Sequence, residues 1–405
     1  MNYFRVVLFF ILGTTQAYAQ GPWMQKASLP GNARHRPFTF SIGSRGYLGC
    51  GWNGTTMYQD FWEYDPGTNS WTQKTDYPAG PRLSSFGFSI GNKGYAGCGL
   101  DQFLYAQPDF YEYNPVTNAW TAKASFIGTP IFGGASAVAN NKAYVMCGDD
   151  WDPNYWRHNE VYVYDPSNDS WSFSTYYPSD GRRDPLAVSV GNKIYAGTGN
   201  DNSYVENGDW WQFDPASGVW TQMVDFGGSA RSQAVAFAVN GKIYAGTGGV
   251  ADEVDFWEFD PVLNVWNRID DFPGQGRENA ASFVIGNKGY LLCGTSGTNY
   301  GDVWEFDSGN IGAGVGEINQ QEIMCGVFPN PVVSTSQLVL QGVPLQSEKE
   351  LFLYTTDGSL LWSEKFSGNT TAISARGLSS GNYPYAVRCE GKIIAHGTVV
   401  IGKDL

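Results

Sequence analysis

Arginines and acids recur along this chain at a fixed spacing. Thirteen residues ahead of Tyr47, Tyr95, Tyr144, Tyr195, Tyr244 and Tyr290 stand Arg34, Arg82, Ile131, Arg182, Arg231 and Arg277. Five residues ahead of a recurring Asp or Asn stand Asp60, Asp109, Glu160, Asp209, Asp255 and Asp302. A guanidinium pairs with a carboxylate through two parallel hydrogen bonds, and the same planar fork grips an anionic ligand. Two uses therefore stand side by side. In one, the arginines pair with the acids and staple repeats together. In the other, they converge as a ring of donors at a channel mouth, open where Ile131 replaces the arginine.

A second cluster is Asp149, Asp150, Trp151, Asp152, Pro153, Asn154, Tyr155, Trp156, Arg157 and His158. Trp151, Tyr155 and Trp156 offer faces on which a sugar can stack, with Asp152 and His158 placed to bond its hydroxyls. Asp149, Asp150 and Asp152 are also oxygen donors of the kind calcium takes. The plain alternative is that the aromatics pack over a neighbouring repeat while the acids stay solvated. No metal and no cofactor is assigned. His35, His158 and His396 are the only histidines, too few for a histidine metal cluster or a Ser-His-Asp triad, and no phosphate-binding glycine motif opens a helix. No catalytic residue is predicted.

The elements that must carry these residues are short strands. In 405 residues there are 51 Gly, 15 Trp, 24 Tyr and 24 Phe, with only 16% charged, a composition of aromatic strands joined by tight turns. A net charge of −14 argues against a nucleic-acid partner. Arg5, the apolar run Val6 to Leu12 and the small-x-small site Ala17-Tyr18-Ala19 predict a signal peptide over residues 1–19. No other apolar run approaches the roughly 20 residues of a membrane-spanning helix, so no transmembrane segment is expected. The predicted location is extracellular or on the outer-membrane surface.

Six aromatic segments repeat: Phe61 to Pro66, Phe110 to Pro115, Val161 to Pro166, Trp210 to Pro215, Phe256 to Pro261 and Val303 to Asp307. The first five are followed by Trp71, Trp120, Trp171, Trp220 and Trp266; the sixth lacks its tryptophan, and Trp23 supplies it. A period of 46 to 51 residues between these tryptophans marks a propeller blade or solenoid unit. An N-terminal strand that completes the last unit would close a ring and remove free sheet edges. Each unit also has a tyrosine strand ending in glycine, as in Tyr95-Ala96-Gly97-Cys98-Gly99. With these landmarks the segment 20–308 resembles the kelch family, which implies a six-bladed β-propeller, expected as a monomer. Cys50, Cys98, Cys147 and Cys293 share one slot with Thr198 and Thr247, as small buried residues rather than disulfide partners.

Residues 309–324 read as a flexible linker. Beyond it, Pro329-Asn330-Pro331, the turn Asp357-Gly358, the Leu378 to Tyr383 turn and a closing Val399-Val400-Ile401 strand resemble the C-terminal sorting domain of type IX secretion substrates in the Bacteroidetes. The resemblance implies that 325–405 is a small Ig-like β-sandwich that engages the secretion machinery. The segment departs from the family at Pro384, which interrupts a strand, and in an exported unit Cys325 and Cys389 are available to pair. The fold expected is thus all-β: a kelch propeller closed by its N-terminal strand, plus a β-sandwich. The expected function is a secreted or cell-surface, non-catalytic module that binds a glycan or protein; the alternative is a carbohydrate-active enzyme of the sialic-acid mutarotase kind.

Overall fold

The computed structural model describes residues 21–150, 157–249, 251–311, 324–328, 330, 332, 334–341, 349–368, 370–389 and 392–402. The predicted signal peptide, most of the linker, and Trp151, Asp152, Tyr155 and Trp156 lie outside these residues. The described chain is all-β apart from a 3-10 turn at Ser308–Asn310.

Residues 23–306 form repeated four-stranded antiparallel sheets in which each strand pairs with the next. The first runs Phe38–Ile42, Arg45–Gly49, Phe61–Asp65 and Ser70–Lys74. Its counterparts begin with Phe86–Ile90, Ala135–Ala139, Leu186–Val190, Val235–Val239 and Ala281–Ile285. In the sixth sheet the outer strand is Trp23–Lys26, paired with Val303–Phe306. The first strand of each sheet alternates buried and part-exposed residues, while the second is buried at four successive positions because neighbouring sheets cover both its faces.

Registers fix which turns share a face. Val235 pairs with Gly246 and Phe256 with Ile269, whereas Val239 pairs with Lys242 and Asp260 with Val265. Both short hairpins, at 240–241 and 261–264, therefore lie at one end of the sheet, and the longer links at the other. The short turns work because Asn69, Asn118, Asp169 and Asn264 accept a left-handed backbone (φ about +50°) that their side chains tolerate.

Sheets pack face to face by exchanging volume. A Cβ on Gly94 would lie 2.1 Å from the Phe40 ring, one on Gly289 2.2 Å from Phe237, and one on Gly46 2.4 Å from Phe283. At the same place elsewhere Ala143 packs in one cluster with Phe88, Ile194 with Ala137, and Ile243 with Val188. A large ring on one sheet thus faces glycine or alanine on the next, and a small residue faces isoleucine, which keeps every interface filled.

The C-terminal residues form a three-stranded sheet (Met324–Phe328, Thr335–Gln341, Thr370–Ser374) and a four-stranded one, in the order Leu360–Phe366, Lys349–Tyr354, Gly381–Cys389, Lys392–Ile401. They share a core that includes Leu338, Leu340, Leu351, Leu353, Ile373, Val387 and Val399. Pro384 does not break its strand: it sits opposite Thr398 and beyond the last pair with the neighbouring strand, Leu353 with Tyr385. Cys389 is a free thiol, as are the four buried cysteines of the repeats.

Volume exchange makes a prediction. Gly94→Ile should cost about 2 kcal/mol through overpacking and Phe40→Ala about 3 kcal/mol. The double variant, which copies Ala137 and Ile194, should lose at least about 1 kcal/mol less than the sum. Urea unfolding of the three variants measures this, and strictly additive losses would overturn it.

Candidate functional site

The five arginines are buried, and each meets the acid of its own repeat. The clamp lies within a sheet, joining the segment ahead of the first strand to the segment ahead of the third, and not between sheets as the staple reading had it. Arg34, Arg231 and Arg277 are held fully. Each pairs through both terminal nitrogens with Asp60, Asp255 or Asp302 at 2.5 to 3.0 Å. Their Nε groups donate to the carbonyls of Asn32, Ser229 and Gln275, and Nη1 also donates to the carbonyl of Cys50, Thr247 or Cys293. Those last residues belong to the shared Cys or Thr slot: the position is buried and left-handed in all six sheets, with φ from 56° to 62°, and in the first, fifth and sixth its carbonyl receives the guanidinium. Burial alone would raise Asp60 and Asp255, but the hydrogen bonds from Arg34 and Arg231 outweigh it and hold both carboxyls below the usual range.

Arg82 and Arg182 are held less completely. Arg82 reaches Asp109 through Nη2 alone, and burial raises that carboxyl despite the arginine. Arg182 reaches both oxygens of Asp209 at 3.2 Å, while its Nε and Nη1 find no hydrogen-bond partner among the described residues. In the third sheet Ile131 packs with Phe126 and Val145 instead, beside a cavity of about 10 Å³, the space one water needs. Glu160 there faces His158 Nδ1 at 3.3 Å, and His158 Nε2 lies 3.3 Å from Asp150.

Two residues beyond each clamp position the chain turns left-handed at Arg36, Ser84, Gly133, Asp184, Gln233 and Asn279, with φ from 53° to 62°. The backbone N–H of Arg36 donates to Asn279, Asn279 to Gln233, Gln233 to Asp184, Asp184 to Gly133, Gly133 to Ser84, and Ser84 to Arg36, at 2.8 to 3.2 Å. A second set runs the opposite way round: the N–H groups of Gly51, Gly99, Gly148, Gly199, Gly248 and Gly294 donate to the carbonyls of Arg82, Ile131, Arg182, Arg231, Arg277 and Arg34. Only glycine serves here: at Gly99 (φ +80°) a Cβ would sit 2.4 Å from Ser85 Oγ.

Around this ring one side is apolar, with Leu83, Leu100, Phe132, Trp52, Met57 and Ala106 packed together. The other side is charged. Arg36 Nη1 lies 3.0 Å from Ser84 Oγ and 3.4 Å from the Asp184 carboxylate. Arg183 lies 3.5 Å from Asp184 and 3.8 Å from Asp149, and Arg157 Nε lies 3.6 Å from Asp149. Glu206 accepts from Ser232 Oγ at 3.0 Å through one oxygen, while its other oxygen is buried with no partner among the described residues. Burial raises Glu206, opposed by the Ser232 bond and reinforced by Asp184 and Glu278. Burial likewise raises Glu278 against the pull of Arg36. His35, beside Trp52, is pushed down to about 4 by burial and then by Arg36. Asn200 Oδ1, Asn299 Oδ1 and Arg157 Nη1 also lack partners among the described residues.

Exposed aromatics stand on matching turns nearby. In 101–105 and 201–205, Asp101 and Asp201 accept backbone N–H groups two and four residues on, which presents Phe103 (68% exposed), Tyr105 (68%) and Tyr204 (56%). The Arg157 guanidinium lies 4.6 Å from the centre of the Tyr204 ring. The shared Asp and the Gln107 or Asn207 six residues later are the sequence signal for these turns.

The fold is that of a β-propeller. A solved structure titled "Structure of YjhT" aligns with a TM-score of 0.60 at 18% identity, over 70% of this chain and 98% of that one. No family model matches the sequence, and no curated protein matches it.

The clamp predicts that Arg277→Ala lowers stability by about 3 kcal/mol, because Asp302 is left largely buried without its partner. A guanidinium chloride midpoint measures the loss. An unchanged midpoint would show that the arginine is not structural.

Proposed function

We propose that this chain is an exported, non-catalytic binding module: a six-bladed, kelch-type propeller, closed by its N-terminal strand, that seats a glycan at the charged side of its mouth. Ring closure is supported by the six backbone hydrogen bonds that lead from Arg36 back to Arg36 and by the pairing of Trp23–Lys26 with Val303–Phe306. In this reading Arg34, Arg82, Arg182, Arg231 and Arg277 place the mouth without touching the ligand. His158, next in sequence to the Arg157 that covers Tyr204, adds to the rim; Trp151, Asp152, Tyr155 and Trp156 lie outside the described residues.

The observation that carries the glycan reading is the set of buried polar atoms at Glu206, Asn200 and Arg157 that have no hydrogen-bond partner among the described residues, beside exposed aromatic rings. A sugar supplies hydroxyls that both donate and accept, and a C–H face that stacks. One observation favours the mutarotase-like alternative: Glu206 is a half-buried carboxyl raised above its usual range by desolvation, a property that suits a general acid–base group. Glu206→Gln keeps the shape and removes the charge. Glycan-array binding followed by calorimetry should show affinity falling by about 10-fold or more with melting unchanged; unchanged affinity would overturn the seat. Magnetic exchange between anomers of a bound reducing sugar, lost in the same variant, would favour the enzyme.

Residues 325–405 are proposed to direct export through the type IX system. Deleting Cys325 to Leu405 should leave a folded propeller retained inside the cells of the native host, as fractionation would report. Surface display of the truncated chain would sink the assignment.

A further inference from the structure

One hairpin of the propeller differs in kind from its four counterparts. The turn after the third strand carries Thr68, Thr117, Asn168 and Ser217 in the first four sheets, all exposed, but Leu263 in the fifth. The next strand opens with Ser70, Ala119, Ser170 and Val219, against Val265. Leu263 and Val265 are only 7% and 5% exposed, and they are buried in one cluster with Tyr354 and Ala386 of the C-terminal sheet, with Phe352 packed against it. The Asp357-Gly358 turn meets the same hairpin backbone to backbone: a Cβ on Gly358 would lie 2.9 Å from Val262 O. The Arg388 guanidinium covers the Phe352 ring at 4.8 Å.

We propose that the Asp260–Val265 hairpin is a dedicated seat for the C-terminal unit, and that it fixes this unit on the face of the propeller opposite the mouth. The side follows from register, since Asp260 and Val265 pair at the end of the fifth sheet away from Gly246 and Gln233. A leucine at an isolated hairpin tip in water would be a liability, and no structural need within the repeat calls for it, because the other four sheets place Thr, Asn or Ser at the Leu263 position. The substitutions have a purpose only with the C-terminal sheet in place. The consequence is orientation: whatever the C-terminal unit attaches to, the mouth points away from it, and losing the unit uncovers a new apolar patch. The seat does not depend on what the mouth binds.

The test is hydroxyl-radical footprinting of the full chain, read at single tyrosines. In the unmodified protein Tyr354 should be protected to the level of the core residue Tyr385, well below exposed Tyr105. The variant Leu263→Thr with Val265→Ser, which restores the first sheet's own sequence, should raise labelling at Tyr354 several-fold while Tyr385 and Tyr244 stay protected. Small-angle scattering should show a larger maximum dimension for the variant. Tyr354 labelled as fast as Tyr105 in the unmodified chain, or protected equally in both proteins, would overturn the proposal. The first outcome is readable even if the variant fails to fold, which a rise at Tyr385 and Tyr244 would reveal.

Discussion

The buried guanidinium–carboxylate clamp is the interaction on which the mouth depends. Taking both charges out of water is costly, and their attraction offsets that only when the remaining donors and lone pairs are also satisfied. Arg34, Arg231 and Arg277 meet the condition, with two carboxylate oxygens, a local carbonyl and the carbonyl of the left-handed slot. Tryptophans add to it, since the indoles of Trp62, Trp257 and Trp304 donate to the same acids. Each clamp sits two residues before a ring residue, so it fixes the backbone whose N–H and C=O groups form the ring. The clamp's incompleteness at Arg82 and Arg182, and its replacement by Ile131, fall in the second to fourth sheets. Those sheets also present Phe103, Tyr105 and Tyr204. The mouth is held firmly on one side and carries its exposed rings on the other, the division expected of a scaffold with binding loops.

The interfaces between sheets show how near-identical repeats keep a unique order. Were every interface a phenylalanine against a glycine, neighbours would be interchangeable. Ala137 against Ile194 and Val188 against Ile243 invert the sizes, so a sheet moved by one place would meet either a void or a clash. Repetition supplies the architecture, and these exceptions supply the addresses.

The architecture was legible because it rests on residue types that only one role tolerates: tryptophans at a steady interval, glycine after the slot, Asp-Pro before a left-handed Asn. The arginine and acid spacings were equally legible, and their pairing follows from them. The mouth was not. Its ring uses backbone groups, so Arg36, Ser84, Gly133, Asp184, Gln233 and Asn279 share a conformation without sharing chemistry, and no side-chain pattern announces them. Glu206 and Asn200 stand out only once the fold brings the 200–206 turn beside Ser232. Leu263 was legible in principle, as the one apolar residue at a position otherwise filled by Thr, Asn or Ser.

The charge balance at the mouth narrows what it can hold. The chain as a whole carries −14, yet the charged side of the mouth sets Arg36, Arg157 and Arg183 against Asp149, Asp184, Glu206 and Glu278. Burial raises both Glu206 and Glu278 above their ordinary range. A strongly anionic ligand would meet Asp184 and Glu206 without a free guanidinium pair, and a strongly cationic one would meet Arg36 and Arg183. A neutral, hydroxyl-rich ligand meets neither penalty. In the proposed role it would donate to the second oxygen of Glu206 and accept from Arg157, atoms that have no hydrogen-bond partner among the described residues. Neutral sugars are therefore the ligand class that accords with the binding role proposed for this mouth.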